Sequence, residues 1–487
     1  MGLVPDLAAQ RAQLSPDALA FTDYASGETW DFARVNAEAS RIAATLLQHV
    51  DAGARVAILC QNRPEFFVIL FACQKAGVIL APLNWRQPAA ELQPVVASIN
   101  CALVLHDDNF SAEASALGLP SLSLNDLSAQ AASAVPLPIR AIDAEAVWYV
   151  LFTSGTTGTP KAVIQTARMV TANAMNIAQN MGLLAQDRTV NFLPLFHTAG
   201  INLFTMPLFL WGGASLVLRS FDAETLLALI KDRAITQFFG VPAIYQELAK
   251  LPLEGAHLDE LRGWACGGAA LPEALIAHFA AKGAVICNGF GMTETGPTGF
   301  LIDAAAALTK IGSVGKPQMM TEARLQGVED GMSGTGELLL RGPTVTPGYL
   351  DNPLATEAAF TEDGWLRSGD VATRDEDGYY RIVDRIKDMY ISGGENVFPA
   401  EVERVLITHP QIAEAAVIGV PDAKWGESGI GFLVPKTGEA LDQAALCDWL
   451  RERIAAYKIP REFRIVEAFP RTPAGKVRKP ELRKLVP

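Results

Sequence analysis

Strand-like and helix-like patterns alternate along the first 140 residues, and this alternation is the feature that most restricts the fold. Helical spacing over residues 32–50 precedes a short apolar strand pattern over 56–59, and the same order recurs over 63–76 and 78–82. Strands that alternate with helices are typical of βαβ units, in which a parallel sheet carries helices on its faces. The sequence therefore predicts an α/β fold.

The chain length predicts more than one domain. At 487 residues it exceeds what one compact core usually holds. We expect a large N-terminal domain of βαβ-type sheets over residues 1–386 and a small α+β domain over 387–487. From Gly336 onward the strand patterns shorten and turn residues become frequent, which predicts a small β-rich subdomain within the large domain.

The charge balance argues against a nucleic-acid partner. Lys and Arg number 40 and Asp and Glu 53, for a formal net charge of −13, whereas a nucleic-acid-binding face is basic. The six cysteines show no C-x-x-C spacing and are expected to be reduced core residues. Because the first residues lack the pattern of a secretory signal, we expect a cytoplasmic protein.

One uncharged run, residues 189–218, is long enough to cross a bilayer. It contains Pro194, His197, Gly200, Pro207 and further breaking or polar residues. Such interruptions favour a buried strand, a loop and a buried helix over a membrane span. We therefore expect no membrane-spanning segment.

The segment LFTSGTTGTPKAV, residues 151–163, has the composition of a phosphate-binding loop. Its glycines can bring backbone N–H groups close to anionic oxygens, its hydroxyls add donors, and Lys161 adds a positive charge. It is not a Walker loop, because Pro160 precedes the lysine and Ala162 follows it. A plain surface turn has a similar composition. The residues assigned to phosphate binding are Thr153, Ser154, Gly155, Thr156, Thr157, Gly158 and Lys161.

A second glycine-rich segment, NGFGMTETG over residues 288–296, follows another strand pattern. Phe290 offers a ring face for a purine, Thr293 a hydroxyl for phosphate, and Glu294 the hard oxygens that Mg²⁺ prefers. A turn with an incidental acid is the alternative. The two segments together predict a magnesium–nucleotide site. The residues assigned to the nucleotide here are Asn288, Gly289, Phe290, Gly291 and Thr293.

These segments, in this order, resemble the motifs of the adenylate-forming superfamily, which includes acyl-CoA synthetases, firefly luciferases and amino-acid adenylation domains. The resemblance continues through PLFHTAG, SGD (368–370, where Ser368 replaces the more usual Thr), DRIKD and RTPAGKVRK, and so covers nearly the whole chain. It implies ATP, Mg²⁺ and coenzyme A as cofactors or co-substrates. It also implies that the C-terminal domain is mobile about a hinge at Lys387.

The resemblance further implies roles for individual residues. Lys476 would be the catalytic lysine, acting with His197, and Glu294 and Thr153 would hold Mg²⁺. Further contacts to the nucleotide and to the coenzyme A path would come from Gly268, Ala269, Asp370, Arg385 and Gly394.

The pair Phe196-His197 favours a simple carboxylic acid as the substrate, because amino-acid adenylation domains carry a Phe-Asp pair at this place. The pocket implied by the resemblance is apolar and consists of Phe196, His197, Phe239, Gly267, Gly268 and Met292. We therefore expect a hydroxycinnamic, other aromatic or medium-chain acid to be converted through an acyl-AMP to its CoA thioester.

The alternative function is an adenylating enzyme that loads a carrier protein, which would be expected to carry the Phe-Asp pair or a fused carrier domain. A nucleotide-binding regulator without catalysis would be expected to have lost Lys476 or Glu294, and both are present. A luciferase-like oxygenase would share every motif, and only a light or product assay separates it. A homodimer is also left open.

Overall fold

The computed structural model describes residues 2–153, 160–392, 395–422, 424–436, 441–472 and 475–486. By contact density the chain forms two compact units. Unit 1 comprises Met1–Glu322 and Leu340–Leu366, and unit 2 comprises Ala323–Leu339 and Arg367–Pro487. Unit 2 thus takes in part of the predicted β-rich subdomain and begins before residue 387. The domain boundary and hinge at Lys387 stay predictions.

Unit 1 is built from sheets flanked by helices. Its strands are β1 (Leu3–Val4), β2 (Leu19–Asp23), β3 (Thr29–Asp31), β4 (Arg55–Leu59), β5 (Ile79–Pro82), β6 (Cys101–His106), β7 (Ser121–Ser123), β8 (Ile142–Asp143), β9 (Val147–Thr153), β10 (Lys161–Thr166), β11 (Arg188–Asn191), β12 (Ala214–Val217), β13 (Gln237–Gly240), β14 (Gly263–Cys266), β15 (Ile286–Phe290), β16 (Phe300–Leu301) and β17 (Lys316–Pro317). Its helices are α1 (Leu7–Leu14), α2 (Phe32–His49), α3 (Pro64–Ala76), α4 (Ala89–Ser98), α5 (Ser111–Ala116), α6 (Leu124–Ala131), α7 (Ala167–Met181), α8 (Thr198–Asn202), α9 (Thr205–Trp211), α10 (Ala223–Lys231), α11 (Pro242–Ala249), α12 (Glu273–Ala280) and α13 (Pro353–Ala359).

One sheet of unit 1 has the strand order β10-β9-β5-β4-β6-β7. Its strands run parallel from β9 to β7, and β10 returns antiparallel to β9. All four residues of β5 are buried, as expected for a parallel strand covered on both faces. Helix α3 has Pro64 in its first turn, and Gly77 caps its C-terminal end in the left-handed conformation, with a φ of 66°. The predicted α/β fold is confirmed.

Two further sheets of unit 1 have the strand orders β11-β12-β2-β3 and β13-β14-β15-β16-β17. The second sheet packs on an aromatic cluster that includes Phe238, Tyr245, Trp264 and Phe279. The uncharged run 189–218 forms β11, the short helices α8 and α9, and β12. No helix within the described part of the chain is both long and apolar enough to cross a membrane.

Unit 2 contains two sheets with short helices. Its strands are β18 (Glu322–Leu325), β19 (Gly334–Arg341), β20 (Leu366–Arg374), β21 (Tyr380–Arg385), β22 (Tyr390–Ser392), β23 (Glu395–Val397), β24 (Ile412–Asp422), β25 (Gly426–Pro435) and β26 (Glu462–Ile465), and its helices are α14 (Pro399–Leu406), α15 (Gln443–Arg451) and α16 (Lys479–Arg483). Strands β18 to β21 pair in chain order. By the same division, one end of each of β18, β19 and β20 belongs to unit 1: Glu322, residues 340–341 and Leu366. In the other sheet the central strand β25 pairs with β22, β24 and β26.

The predicted elements agree with the structure except at some ends. The helical pattern over 32–50 corresponds to α2, and the pattern over 63–76 corresponds to α3. The strand pattern that precedes NGFGMTETG extends further than expected: β15 runs from Ile286 to Phe290, because Gly289 and Phe290 pair with β16. All six cysteines are free thiols, as expected.

Candidate active site

Three of the predicted site segments begin at one edge of a sheet of unit 1. Gly240, Cys266 and Asn288 are in register in the parallel strands β13, β14 and β15, so the residues that follow them leave the same edge of the sheet. Ligands of open α/β sheets bind at this carboxyl edge. The position agrees with the predicted roles of Gly267, Gly268, Ala269 and the NGFGMTETG segment, which stay predictions.

Two glycines at this edge have no room for a side chain. A Cβ on Gly291 would lie 1.7 Å from the carbonyl oxygen of Pro297, and one on Gly289 would lie 2.8 Å from that of Phe300. At Gly267 a Cβ would come 3.3 Å from the Phe239 ring. The apolar ring of Phe239 therefore lies directly against the CGG turn, as its assignment to the acid pocket requires.

Glu294 is buried and is held from both its backbone and its side chain. It is 6% exposed, the Tyr349 hydroxyl donates to its Oε1 at 3.0 Å, and the Thr346 amide donates to its carbonyl oxygen at 2.8 Å. Burial and the neighbouring carboxylate raise the pKa of Tyr349 above its ordinary value, so the phenol stays protonated and donates. The carboxylate is thus oriented before any ligand binds.

Lys161 and Thr153 sit at the two ends of the predicted phosphate loop. They are Cα partners in the antiparallel pair β9–β10, so residues 154–160 connect two neighbouring strand ends. The Lys161 ammonium lies 4.8 Å from the Tyr349 ring centroid, which places its charge beside the residue that holds Glu294. Of the predicted phosphate contacts, five lie outside the described residues: Ser154, Gly155, Thr156, Thr157 and Gly158.

The pair Phe196-His197 lies on the turn between β11 and α8. Phe196 is 5% exposed, and its ring centroid is 4.7 Å from that of His197. The His197 amide donates to the carbonyl oxygen of Pro194, and Gly200 donates to that of His197, so consecutive turns fix the pair. Gly200 has no space for a Cβ, which would be 2.3 Å from the Pro194 oxygen.

In unit 2 the structure brings together three of the predicted residues. Asp370 and Arg385 are Cα partners in β20 and β21, and Nε of Arg385 lies 2.9 Å from Oδ1 of Asp370. Burial raises the pKa of Asp370, while the charges of Arg385 and Lys476 lower it. Lys476 is exposed, and the Thr472 amide donates to the carbonyl oxygen of Lys476 at 2.7 Å.

Two further predicted residues of unit 2 are apart from this group. Lys387 lies in the turn between β21 and β22, and Gly394 lies outside the described residues.

The residues present fit a magnesium–nucleotide ligand. Mg²⁺ is commonly bound through one or two carboxylates together with substrate phosphates, and Glu294 supplies one buried, oriented carboxylate. In unit 1 the buried Oδ1 of Asn288 receives no hydrogen bond from any described residue. A purine amino group is a donor that suits such an acceptor.

Tyr349 and Arg86 were not identified as site residues from the sequence. Tyr349 belongs to TPGYLDNP, which reads as a turn, and it reaches Glu294 because residues 346–350 hydrogen-bond to β10. Arg86 follows β5, and its guanidinium lies 5.8 Å from the Phe196 ring centroid. The sequence offered one signal for Arg86, because it is a cationic residue just beyond a buried parallel strand. Tyr349 had no comparable signal.

Two family models match the chain. The model of AMP-binding enzymes matches residues 8–350, which is more than half of the chain, and contains both glycine-rich segments. The model of the AMP-binding enzyme C-terminal domain matches residues 401–476 and ends at Lys476.

Named relatives align over almost the full length. The feruloyl-CoA synthase of Amycolatopsis sp is 37% identical over 485 residues, which are 98% of this chain and 97% of the relative. A long-chain-fatty-acid–CoA ligase of Mycobacterium tuberculosis is 34% identical over 495 residues, which are 97% and 96% of the two chains.

Solved structures share the fold. The o-succinylbenzoate CoA synthetase of Bacillus subtilis, in complex with its acyl-adenylate intermediate, gives a TM-score of 0.89 at 31% identity and covers 99% of both chains. The same enzyme in complex with ATP and a magnesium ion gives a TM-score of 0.88, also at 31% identity, over 99% of this chain and 100% of that one.

Proposed function

The chain belongs to the family of AMP-binding enzymes and is an acyl-CoA synthetase, and from this premise we propose that its substrate is a monocarboxylic acid with an apolar or aromatic tail. The enzyme uses ATP to join a carboxylic acid to coenzyme A through an acyl-AMP. The hydroxycinnamic and medium-chain acids are the classes that we propose for the acid.

The observation that carries the proposal is the apolar packing beside the predicted acid site. The Phe239 ring lies against Gly267, and Phe196 is buried on the turn after β11. An apolar wall favours an acyl tail without unpaired charge, because burying such a charge is costly. The names of two relatives, a feruloyl-CoA synthase and a long-chain-fatty-acid–CoA ligase, support an aromatic and an apolar aliphatic tail, respectively.

For the first half-reaction we assign the phosphates to the segment from Thr153 to Lys161. When bound there, Mg²⁺ would neutralise phosphate charge. Glu294 would orient the ion, with Tyr349 fixing the carboxylate. Lys476 would add positive charge where negative charge develops as the acid's carboxylate attacks the α-phosphate. Because both reactants are anionic, positioning and charge neutralisation account for most of the catalysis that the chain has to supply.

The test is a panel assay of pyrophosphate release and of thioester formation. Purified enzyme is given ATP, Mg²⁺ and one acid at a time, with coenzyme A, with an acyl-carrier protein, or with neither acceptor. We expect aromatic and medium-chain acids to give CoA thioesters with higher kcat/KM than short dicarboxylates.

Two results would contradict the proposal in different ways. Acyl-AMP that is transferred to a carrier protein and never to coenzyme A would make the enzyme a carrier-loading one. A dicarboxylate such as malonate as the best acid would show that the apolar residues named above do not line the acid site.

A further inference from the structure

A network of hydrogen-bonded side chains connects three of the predicted site segments within unit 1. Its members are polar and no more than 6% exposed: Tyr149, Gln165, Asn173, Asn202 and Thr298. Burying an amide or a hydroxyl is costly unless the group is hydrogen-bonded, and each member bonds to a residue of another segment. Together they form a buried polar network.

The first link of the network joins β9, which leads into the phosphate loop, to α8, which follows the Phe196-His197 pair. The Tyr149 hydroxyl donates to Oδ1 of Asn202 at 2.8 Å, and Nδ2 of Asn202 donates to Oγ1 of Thr198 at 3.1 Å. Thr198 begins α8 directly after His197. Burial raises the pKa of Tyr149, so its hydroxyl stays protonated and donates. Side chains therefore connect the pair to the strand before the phosphate loop.

The second link joins β10 to the residue before Glu294. Gln165 lies opposite Tyr149 in the pair β9–β10, and Nε2 of Gln165 donates to the carbonyl oxygen of Thr293 at 3.0 Å. Residues directly opposite each other in an antiparallel pair have their side chains on the same face of the sheet. One face of β9–β10 thus bonds both to α8 and to the segment of the proposed magnesium ligand.

The third link closes the network through α7. Oγ1 of Thr298 donates to Oδ1 of Asn173 at 3.1 Å, and Nδ2 of Asn173 donates to the carbonyl oxygen of Asn202 at 2.6 Å. Thr298 is four residues after Glu294, so the segment is held on both sides of this carboxylate. A buried network whose groups are satisfied favours a single arrangement of the segments that it joins.

We propose that Asn202 is a positioning residue for adenylation, which fixes the acid's carboxylate relative to the α-phosphate through its bonds to Tyr149 and Asn173. This inference rests on the proposed function, because it uses the acid and phosphate sites assigned there. Two anionic reactants must meet in one geometry during adenylation, and a displacement of about 1 Å can cost about 10²-fold in rate. In acyl-AMP a covalent bond already fixes the acid beside the phosphate. Thioester formation should therefore depend much less on the network.

The test uses Tyr149→Phe, Asn202→Leu and the double variant. Each single substitution leaves one buried polar group without its partner, so both should lower Tm. The double variant removes both partners and should recover part of the lost Tm, although the link remains broken.

Each preparation is assayed for both half-reactions. Adenylation is measured with ATP, Mg²⁺ and the acid that the wild type uses best. Thioester formation is measured from the synthetic acyl-AMP of the same acid and coenzyme A. The ratio of the two rates does not depend on the fraction of enzyme that is folded.

We expect the ratio of adenylation to thioester formation to fall about 10- to 100-fold in all three variants. In the double variant the ratio should stay low while Tm recovers, whereas a merely structural role would restore both together. The matched control is Asn176→Leu, at another buried amide of α7. Nδ2 of Asn176 donates to Oγ1 of Thr321 at 3.3 Å, and its Oδ1 accepts from the Met320 amide at 2.8 Å. This variant should lower Tm and leave the ratio unchanged.

The outcomes separate this inference from the function that it rests on. An unchanged ratio in the double variant, or an equal fall in Asn176→Leu, would overturn the inference alone. A dicarboxylate as the best acid would overturn the proposed substrate class, and the ratio measured with that acid would still decide the inference. If the wild type formed no acyl-AMP from any acid of the panel, the proposed function would fail, and the inference with it.

Discussion

Glu294 and its neighbours illustrate how single side chains are arranged before a ligand binds. A buried carboxylate is costly unless hydrogen bonds or opposite charges compensate it. At Glu294 the Tyr349 hydroxyl supplies a hydrogen bond, and Lys161 lies over the face of that same tyrosine ring. The orientation of the proposed magnesium ligand therefore depends on a residue that would not touch the ion.

Tyr349→Phe tests this positioning. The substitution removes the phenol hydroxyl and keeps the ring beneath Lys161, so we expect the Mg²⁺ concentration for half-maximal adenylation to rise about 10-fold or more, as for other groups that orient metal ligands. The KM for the acid should not change. A surface tyrosine of the same unit, in Tyr24→Phe, is the control. A fall in rate that saturating Mg²⁺ does not reduce would assign Tyr349 to another role.

Lys476→Ala tests the proposed charge at the α-phosphate. We expect adenylation to slow by about 10²–10³-fold or more, by analogy with the loss of one oxyanion donor. Transfer of pre-formed acyl-AMP to coenzyme A should continue, since in that step the thiol attacks the acyl carbon and displaces AMP, and no bond forms at phosphorus. Rapid quench from each starting point measures the two steps separately. A similar loss in both steps would show that Lys476 does not serve adenylation alone.

The site could be predicted from the sequence where a residue's role follows from its own segment. Glu294 and Gly291 follow β15, and Lys161 begins β10, so their positions at strand ends were predictable from strand order. Tyr349 reaches Glu294 only because residues 346–350 pair with β10, more than 180 residues earlier in the chain. Local patterns contain no information on such distant pairing.

Among the elements, the short helix α16 shows how the segment after Lys476 is attached to unit 2. Lys479 in α16 pairs with Glu403 of α14 at 2.8 Å, and Asp384 at the end of β21 accepts from the Ala400 amide at 2.6 Å. The Glu403 carboxylate also accepts from the Val417 amide at 2.7 Å. These contacts connect α14, α16, β21 and β24 around Asp384, which is buried, and Glu403, which is partly buried.

Glu403→Gln tests the effect of one of these acids on stability. Burial raises the pKa of Glu403 above its ordinary value of 4.5, although Lys479 and the Val417 amide lower it. Because the folded state holds the proton more tightly, the stability from this group is full below pH 4.5 and is lost as the pH rises through the raised pKa.

We therefore expect the difference in Tm, Glu403→Gln minus wild type, to increase from pH 5 to pH 8. Differential scanning calorimetry at low ionic strength measures it. Glu452→Gln, at an exposed glutamate of the same unit, is the control for the loss of one carboxylate at the surface. A difference that falls with rising pH would mean that the pair with Lys479 outweighs the cost of burial.

Element types were more predictable than element ends. Apolar runs in β4 and β5 and the spacing of α2 follow from burial and periodicity, which act locally. The end of β15 depends on pairing with β16, ten or more residues later, and so β15 extends beyond the strand pattern that precedes NGFGMTETG.

At the scale of the whole molecule, the two proposed half-reactions require different groups beside the same acyl-AMP. Adenylation needs Lys476 near the α-phosphate, and thioester formation needs an open path for the thiol. The resemblance to the adenylate-forming superfamily implies that the C-terminal domain turns about Lys387 between the two. Contact density divides the chain near residue 366 instead, so a hinge at Lys387 would lie inside unit 2, in the turn between β21 and β22.

Lys387→Pro tests whether this turn is the hinge. Proline fixes φ near −65° and restricts the residue before it, so the turn would be confined to one conformation. We expect one half-reaction to continue near the wild-type rate and the other to fall by at least about 10²-fold, because only one arrangement would remain accessible. Adenylation is followed by pyrophosphate exchange, and thioester formation is followed from synthetic acyl-AMP and coenzyme A.

Lys387→Ala is the matched control, since it removes the same charge and leaves the backbone free to turn. If the hinge acts through φ and ψ, the alanine variant should support both half-reactions. The proline variant alone should separate them. An equal loss of both steps in Lys387→Pro, with a circular dichroism spectrum like that of the wild type, would make the turn a structural element without a hinge role. Loss of one step in both variants would instead assign the effect to the lysine charge.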